Sequence, residues 1–267
     1  MSLHDDYARL TPFELAFPTD ERAAALVRAV VEEASARGVD PTALGEFLTL
    51  GSVEAFVRDT ADAAADPTVL HRHGPLVYHA IRFAEEGRRL YLLTSHVARY
   101  LAEGRPDGEP KLPAPAGYVQ LPQHLVWTRA TADAPESVDG VFWSVAPNDL
   151  VHFLLVTGLR PDRPGVGVVA IPEGPVRDAG EWLDIEAREE GPDFATDLPG
   201  AEIDGLYEIQ SAGEVFKLMA RCFAYLDGMP DAVERGEPPA VADEGSPGAG
   251  PPKPSRLDFS RVTLGAP

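Results

Sequence analysis

The chain has 267 residues, of which 44% are hydrophobic and 25% charged, so it can bury the core of an ordinary globular protein. Its 43 acidic residues outnumber the 23 lysines and arginines and give a formal net charge of −20, which argues against binding to nucleic acid or to a membrane surface. The single cysteine, Cys222, excludes an internal disulfide and a cysteine-based metal site. No apolar run reaches the length of a membrane span and no secretory leader is visible, so we expect a cytoplasmic protein.

The first 103 residues carry apolar stripes at helical spacing, interrupted by turn signals such as Gly38 and Gly51. The longest stripe, Gly74–Leu101, alternates steps of four and three residues, which is the spacing of a helix–helix seam. The pattern predicts an N-terminal bundle of about four helices over 1–103. Seven of the fourteen residues over 104–117 are Pro or Gly, which predicts a linker.

From residue 118 the apolar residues alternate with polar ones, which is typical of β-strands. The connections between these strands are too short for crossover helices, so the pattern predicts an antiparallel sheet with 149–157 as a central strand. A capping box from Ser211 to Glu214 opens a helix that Gly228 ends. We therefore expect an α+β fold in which the helical bundle is followed by this sheet and a C-terminal helix packed on it, over 118–228.

A disordered tail is predicted over 229–267, because six Pro and four Gly fall within 235–255 and that composition buries little surface. A short apolar segment, 256–264, follows the spacer. Such a segment either adds a strand to the edge of its own sheet, binds another protein in the same way, or is a frayed end. Its candidate binding residues are Leu257, Phe259, Val262 and Leu264.

The candidates for catalysis are two histidines in the strand region, His152 and His124. Either imidazole is a possible general base if a carboxylate, Asp149 or Asp139, orients it. The alternative is that both histidines are structural and satisfied by hydrogen bonds. The remaining histidines of the helical region do not have the spacing of a complete ligand set, so we expect no metal and no cofactor. These histidines are His71, His73, His79 and His96.

An acidic segment over 173–204 contains eleven acidic residues and two arginines, a net charge of −9. It is either a face that binds a basic protein or mimics nucleic acid, a solvated surface, or a divalent-cation site. Its candidate cation ligands are Asp184, Glu186, Glu189, Glu190 and Asp193. We expect a non-catalytic protein that binds another protein through this acidic face, through the C-terminal segment, or through both. The alternative is a hydrolase that uses His152 or His124 with a nearby carboxylate.

Overall fold

A mixed β-sheet with helices on both faces forms the part of the chain described by the computed structural model. The described residues are 6–16, 20–39, 49, 51–53, 67–104, 110–128, 136–146, 151–160, 163–168, 207–209, 212–239 and 254–265. The helices are α1 (Pro12–Ala16), α2 (Asp20–Ala36), α3 (Pro67–Glu85), α4 (Ser95–Glu103) and α5 (Ala212–Gly228). The strands are β1 (Leu90–Leu93), β2 (Ala116–Gln120), β3 (Val126–Thr128), β4 (Glu136–Val145), β5 (Val151–Arg160), β6 (Arg163–Val168), β7 (Tyr207–Ile209), β8 (Val233–Gly236) and β9 (Phe259–Val262).

Seven strands lie in the order β6-β5-β4-β2-β1-β9-β8, while β3 branches from β4 and pairs in turn with β7. β1 runs parallel to both β2 and β9, and β3 runs parallel to β7, whereas the other pairs are antiparallel. The expected antiparallel sheet is therefore wrong in its topology. The predicted central strand is confirmed over 151–157, because β5 lies between β4 and β6. The helix that ends at Gly228 is confirmed as α5.

The prediction of an N-terminal helical bundle is also wrong. The predicted long helix is divided by β1, because Gly87 and Arg88 both adopt positive φ values, 82° and 57°, and end α3. Leu92 then packs in the core under α3, while Leu93 packs in the core under α4 and α5. A strand that alternates between two buried faces has apolar residues throughout, so its sequence resembles one stretch of a buried helix.

Each face of the sheet has its own hydrophobic core. Trp143 of β4 points to the side covered by α4 and α5, and Phe142 points to the side covered by α1 and α3. The rings of Phe83 and Phe142 meet edge to face at 5.6 Å, and those of Trp143 and Phe223 do so at 5.3 Å. These contacts hold the helices on the sheet.

The predicted disordered tail is wrong for 229–239 and 254–265, whereas 240–253 lie outside the described residues. β9 inserts between β1 and β8, with Phe259 in one core and Val262 in the other. The backbone N–H and the hydroxyl of Thr94 both donate to the carbonyl of Val262, at 3.1 and 3.0 Å. Among the alternatives for 256–264, the structure shows the one in which the segment adds a strand to its own sheet.

Candidate functional site

Asp139, a predicted partner of a catalytic histidine, is bonded to other groups. It lies in β4 and its side chain is 7% exposed. Its Oδ1 accepts hydrogen bonds from Nη2 and Nε of Arg9, at 2.8 and 3.3 Å, and its Oδ2 accepts one from the hydroxyl of Tyr118 at 2.7 Å. Burial and the Asp139 carboxylate raise the pKa of Tyr118 well above its ordinary value, so this phenol stays a donor. Asp139 thus anchors the N-terminal segment to the sheet.

His152 lies on β5 directly across from Ser144 of β4. The serine, however, is within 3.0 Å of Nδ1 of a different histidine, His79 of α3. Burial is the largest cause that lowers the pKa of His79 from 6.5 to about 3, and the nearby His152 and Arg82 contribute to the same shift. The imidazole of His79 is therefore neutral at physiological pH and shares one hydrogen bond with Ser144. His152 is half-buried, and its ring stands edge-on to Tyr78 at 6.2 Å.

A serine within hydrogen-bond distance of a histidine is the pair that acyl-transfer enzymes use. Here both side chains are enclosed, since His79 is 2% exposed and Ser144 is not exposed at all. The stacked ring of Phe142 lies 6.0 Å from the His79 ring and covers one side of it. The pair joins α3 to the sheet, and the described residues leave a substrate no open approach to it.

His124 occupies an exposed turn before β3 and has a positive φ of 62°. Its backbone N–H donates to the hydroxyl of Ser137 at 3.1 Å, and its carbonyl accepts a hydrogen bond from the indole of Trp127 at 2.9 Å. His124 therefore closes a turn and is not brought to His152. Asp149, the other predicted carboxylate, lies outside the described residues.

The described residues do not form a metal site. Within the residues that the structure describes, no group of three or more His, Cys, Asp and Glu side chains is placed to hold a metal ion. The side chains of His71 and His73 lie outside the described part, although both residues belong to α3. The acidic segment 173–204, with its candidate cation ligands, also lies outside it.

The predicted binding residues of the C-terminal segment do not share one surface. Phe259 and Val262 are 5% and 0% exposed and lie in the protein's own cores. Leu257 is half-buried against the core under α3, while Leu264 is 51% exposed. Only Leu264 of the four is open to a partner while β9 stays in the sheet.

A buried carboxylate network was missed by the sequence interpretation. Glu14 is 4% exposed, and its Oε2 accepts hydrogen bonds from the backbone and hydroxyl of Thr11 at 2.9 and 3.0 Å. The hydroxyl of Ser255 donates to the same oxygen at 2.8 Å, and the backbone N–H of Arg256 donates to Oε1 at 2.7 Å. Thr11 and Glu14 have the spacing of a capping box, which was a visible signal for α1. Nothing in the sequence pattern pointed to Ser255 as a third partner.

No protein-family model matches the chain, and no curated protein matches it. Among solved structures, a crystal structure of AcrVA2 is similar over 93% of this chain and 81% of that chain, with 11% sequence identity and a TM-score of 0.40. A likeness at that level assigns neither a fold family nor a function. Among the described residues, none of the helices has the length and apolar character needed to cross a bilayer.

Proposed function

We propose that the protein works in the cytoplasm by binding another protein through the acidic segment 173–204, without catalysis. The observation that carries the proposal is charge, because this segment holds −9 of the net −20 in thirty-two residues. A concentration of one sign of charge speeds encounter with a partner of the opposite sign and rejects partners of the same sign. The partner is therefore expected to present a basic surface.

The polar residues of the described core support a binding role over a catalytic one. Asp139 is bonded to Arg9 and Tyr118, Glu14 to Thr11 and Ser255, and His79 to Ser144. Groups that hold elements together in this way are not available to a substrate. The hydrolase alternative needs an open general base with a carboxylate, and one of its two candidate carboxylates, Asp139, is bonded to Arg9 and Tyr118 instead.

The C-terminal segment was the second predicted binding element. Its burial in the protein's own sheet supports the view that 259–262 is part of the scaffold. A partner that took this segment would have to withdraw Phe259 and Val262 from the two cores, a cost of several kcal/mol at about 1.5–3 kcal/mol for each side chain. The acidic segment is therefore the proposed binding element.

The test compares two variants of equal net charge. In the first, five carboxylates of the acidic segment are neutralised: Asp184→Asn, Glu186→Gln, Glu189→Gln, Glu190→Gln and Asp193→Asn. In the control, five exposed carboxylates of the described part are neutralised: Glu21→Gln, Glu32→Gln, Glu234→Gln, Glu237→Gln and Asp258→Asn. Affinity purification from the native host should recover one partner with the wild type and the control and lose it with the first variant. Equal recovery with both variants would overturn the proposal.

A further inference from the structure

Three large apolar side chains are exposed in the described part of the chain, and they lie around one residue, Tyr225 of α5. They are Tyr100, Met229 and Leu264, which are 41%, 43% and 51% exposed. Tyr225 itself is 4% exposed, and its ring lies 5.8 Å from that of Tyr100. We call these four residues the Tyr225 patch.

Hydrogen bonds fix the patch on three elements of the fold. The hydroxyl of Tyr225 donates to the carbonyl of Thr263 at 2.8 Å and accepts from the N–H of Gly265 at 2.9 Å, which places Leu264 beside it. Met229 directly follows α5, and its N–H donates to the carbonyl of Tyr225 at 2.9 Å. A Cβ on Gly265 would lie 3.3 Å from Sδ of Met229, so the two residues are close neighbours. The patch is therefore a preformed surface of α4, the end of α5 and the segment after β9.

Carboxylates border the patch. Asp227 and Asp231 are exposed and flank Met229 in the sequence, and Glu103 follows Tyr100 by one helical turn. Asp227 already forms an ion pair with Lys111, whose Nζ lies 2.8 Å from Oδ2, and both side chains are exposed. An exposed pair of this kind contributes little to stability, so a lysine of another protein can replace Lys111 at small cost. Arg99 is the positive neighbour beside Tyr100.

We infer that the Tyr225 patch is a docking site for a cationic segment of another protein, which places an apolar side chain among Tyr100, Met229 and Leu264 and basic side chains on Asp227 and Asp231. The inference rests on the proposed function, since it adds a second contact for the same kind of partner. Charge selects the occupant: a net −20 repels a second copy of the chain and attracts a basic segment. Clustered apolar side chains with a polar rim are the usual anatomy of a protein-binding surface.

The experiment uses the full chain and a synthetic fifteen-residue peptide of Lys-Leu-Lys repeats, with a Glu-Leu-Glu peptide as the charge-reversed probe. Affinity is measured by calorimetry and the contact is mapped by amide chemical shifts. The double variant Met229→Gln/Leu264→Gln should raise the Kd of the lysine peptide at least tenfold, whereas Met229→Leu should leave it unchanged. The variant Asp227→Asn/Asp231→Asn should raise Kd and weaken its salt dependence, and the matched control Glu21→Gln/Glu32→Gln on α2 should do neither.

The outcomes separate the two proposals. The inference is wrong if Met229→Gln/Leu264→Gln binds the lysine peptide as tightly as the wild type does. It is also wrong if the peptide leaves the amide chemical shifts of 229 and 264–265 unchanged. The proposed function still stands in that case if neutralising 173–204 abolishes recovery of the native partner. If the patch variants lose the peptide while neutralisation of 173–204 has no effect on the native partner, the inference stands and the proposed function fails. A wild-type dimer that Met229→Gln/Leu264→Gln converts to a monomer would overturn the inference in favour of self-association.

Discussion

The carboxylate of Glu14 accepts a hydrogen bond from the hydroxyl of Ser255 at 2.8 Å, which joins residues 241 positions apart. The N–H of Ser255 in turn donates to the carbonyl of Ala8 at 2.7 Å. A buried carboxylate needs several donors to offset the loss of water, and Glu14 obtains them from both segments. The segment before β9 and the segment around α1 therefore form one structural unit.

The variant Ser255→Ala should destabilise the protein by about 1.5–3 kcal/mol, because a buried carboxylate loses a charge-assisted hydrogen bond. Urea unfolding of the full chain measures the loss. The matched control is Ser35→Ala on α2, where an exposed hydroxyl bonds the carbonyl of Val31 and the change should stay within about 0.5 kcal/mol. Equal losses in the two variants would show that the Glu14 network does not hold the segment.

Deletion of 254–267 should lower the melting temperature of the body clearly. The deletion removes Phe259 and Val262 from the two cores and leaves the edge of β1 without a partner strand. A synthetic peptide of 254–267 added in excess should restore part of the loss, because binding to the folded form raises its stability. An unchanged melting temperature on deletion would show that β9 is not part of the folded scaffold.

The ion pair between Arg9 and Asp139 is buried on both sides, with 3% and 7% exposure. The variant Arg9→Met should cost about 3–5 kcal/mol, because it leaves the carboxylate enclosed with the Tyr118 hydroxyl as its remaining described partner. The exposed pair between Arg37 and Glu33 is the control, and Arg37→Met should cost no more than about 1 kcal/mol. Similar losses from the two substitutions, measured by urea unfolding, would contradict a central role for Asp139 in the fold.

The stability of the protein should fall as the pH is lowered from about 6.5 towards 3, in part because of His79. In the folded state the pKa of His79 is lowered from 6.5 to about 3, so the unfolded chain takes up the proton first. The neutral, buried imidazole stabilises the protein fully above pH 6.5, and this stabilisation is lost as the pH falls from 6.5 to about 3. The free energy of unfolding changes by up to about 1.4 kcal/mol per pH unit over that range. Below about pH 3 both states are protonated and the slope from this group ends.

Urea unfolding at several pH values measures this slope in the wild type and in His79→Gln. The variant keeps a polar group for Ser144 and removes the titration, so its stability should depend less on pH between 6.5 and 3. His96→Gln on the exposed face of α4 is the control for replacing an imidazole with an amide. An unchanged slope in His79→Gln would show that the imidazole is not enclosed as described.

Elements that depend on local pattern were predictable. The apolar run at Val151–Thr157 and the capping box before α5 each specify their element through neighbours in the sequence. β1 was not predictable in this way, because the four residues Leu90–Leu93 fit a buried helix as well as a strand. Its identity depends on pairing with β2 and with β9, and β9 lies about 170 residues further along the chain. The mixed topology therefore follows from long-range pairing that periodicity does not reveal.

The partners of the candidate site residues also depend on long-range contacts that the sequence pattern does not reveal. Asp139 was selected as a carboxylate near strand histidines, but its partner is Arg9, which is 130 positions away. Ser144 was not selected, since only the packing of α3 brings His79 to it. Residue type and spacing indicate which side chains are able to do chemistry, whereas burial decides whether they hold the fold together instead.

The most direct test of the central claim is hydrogen–deuterium exchange of the full chain, alone and with the partner recovered by affinity purification. Binding through the acidic segment and the Tyr225 patch predicts slower exchange over 173–204, together with 229 and 264–265, when the partner binds, while β9 stays protected in both states. Unchanged exchange over 173–204, with loss of protection over 259–262, would contradict it. That result would mean that the partner takes the C-terminal strand and does not bind the acidic segment.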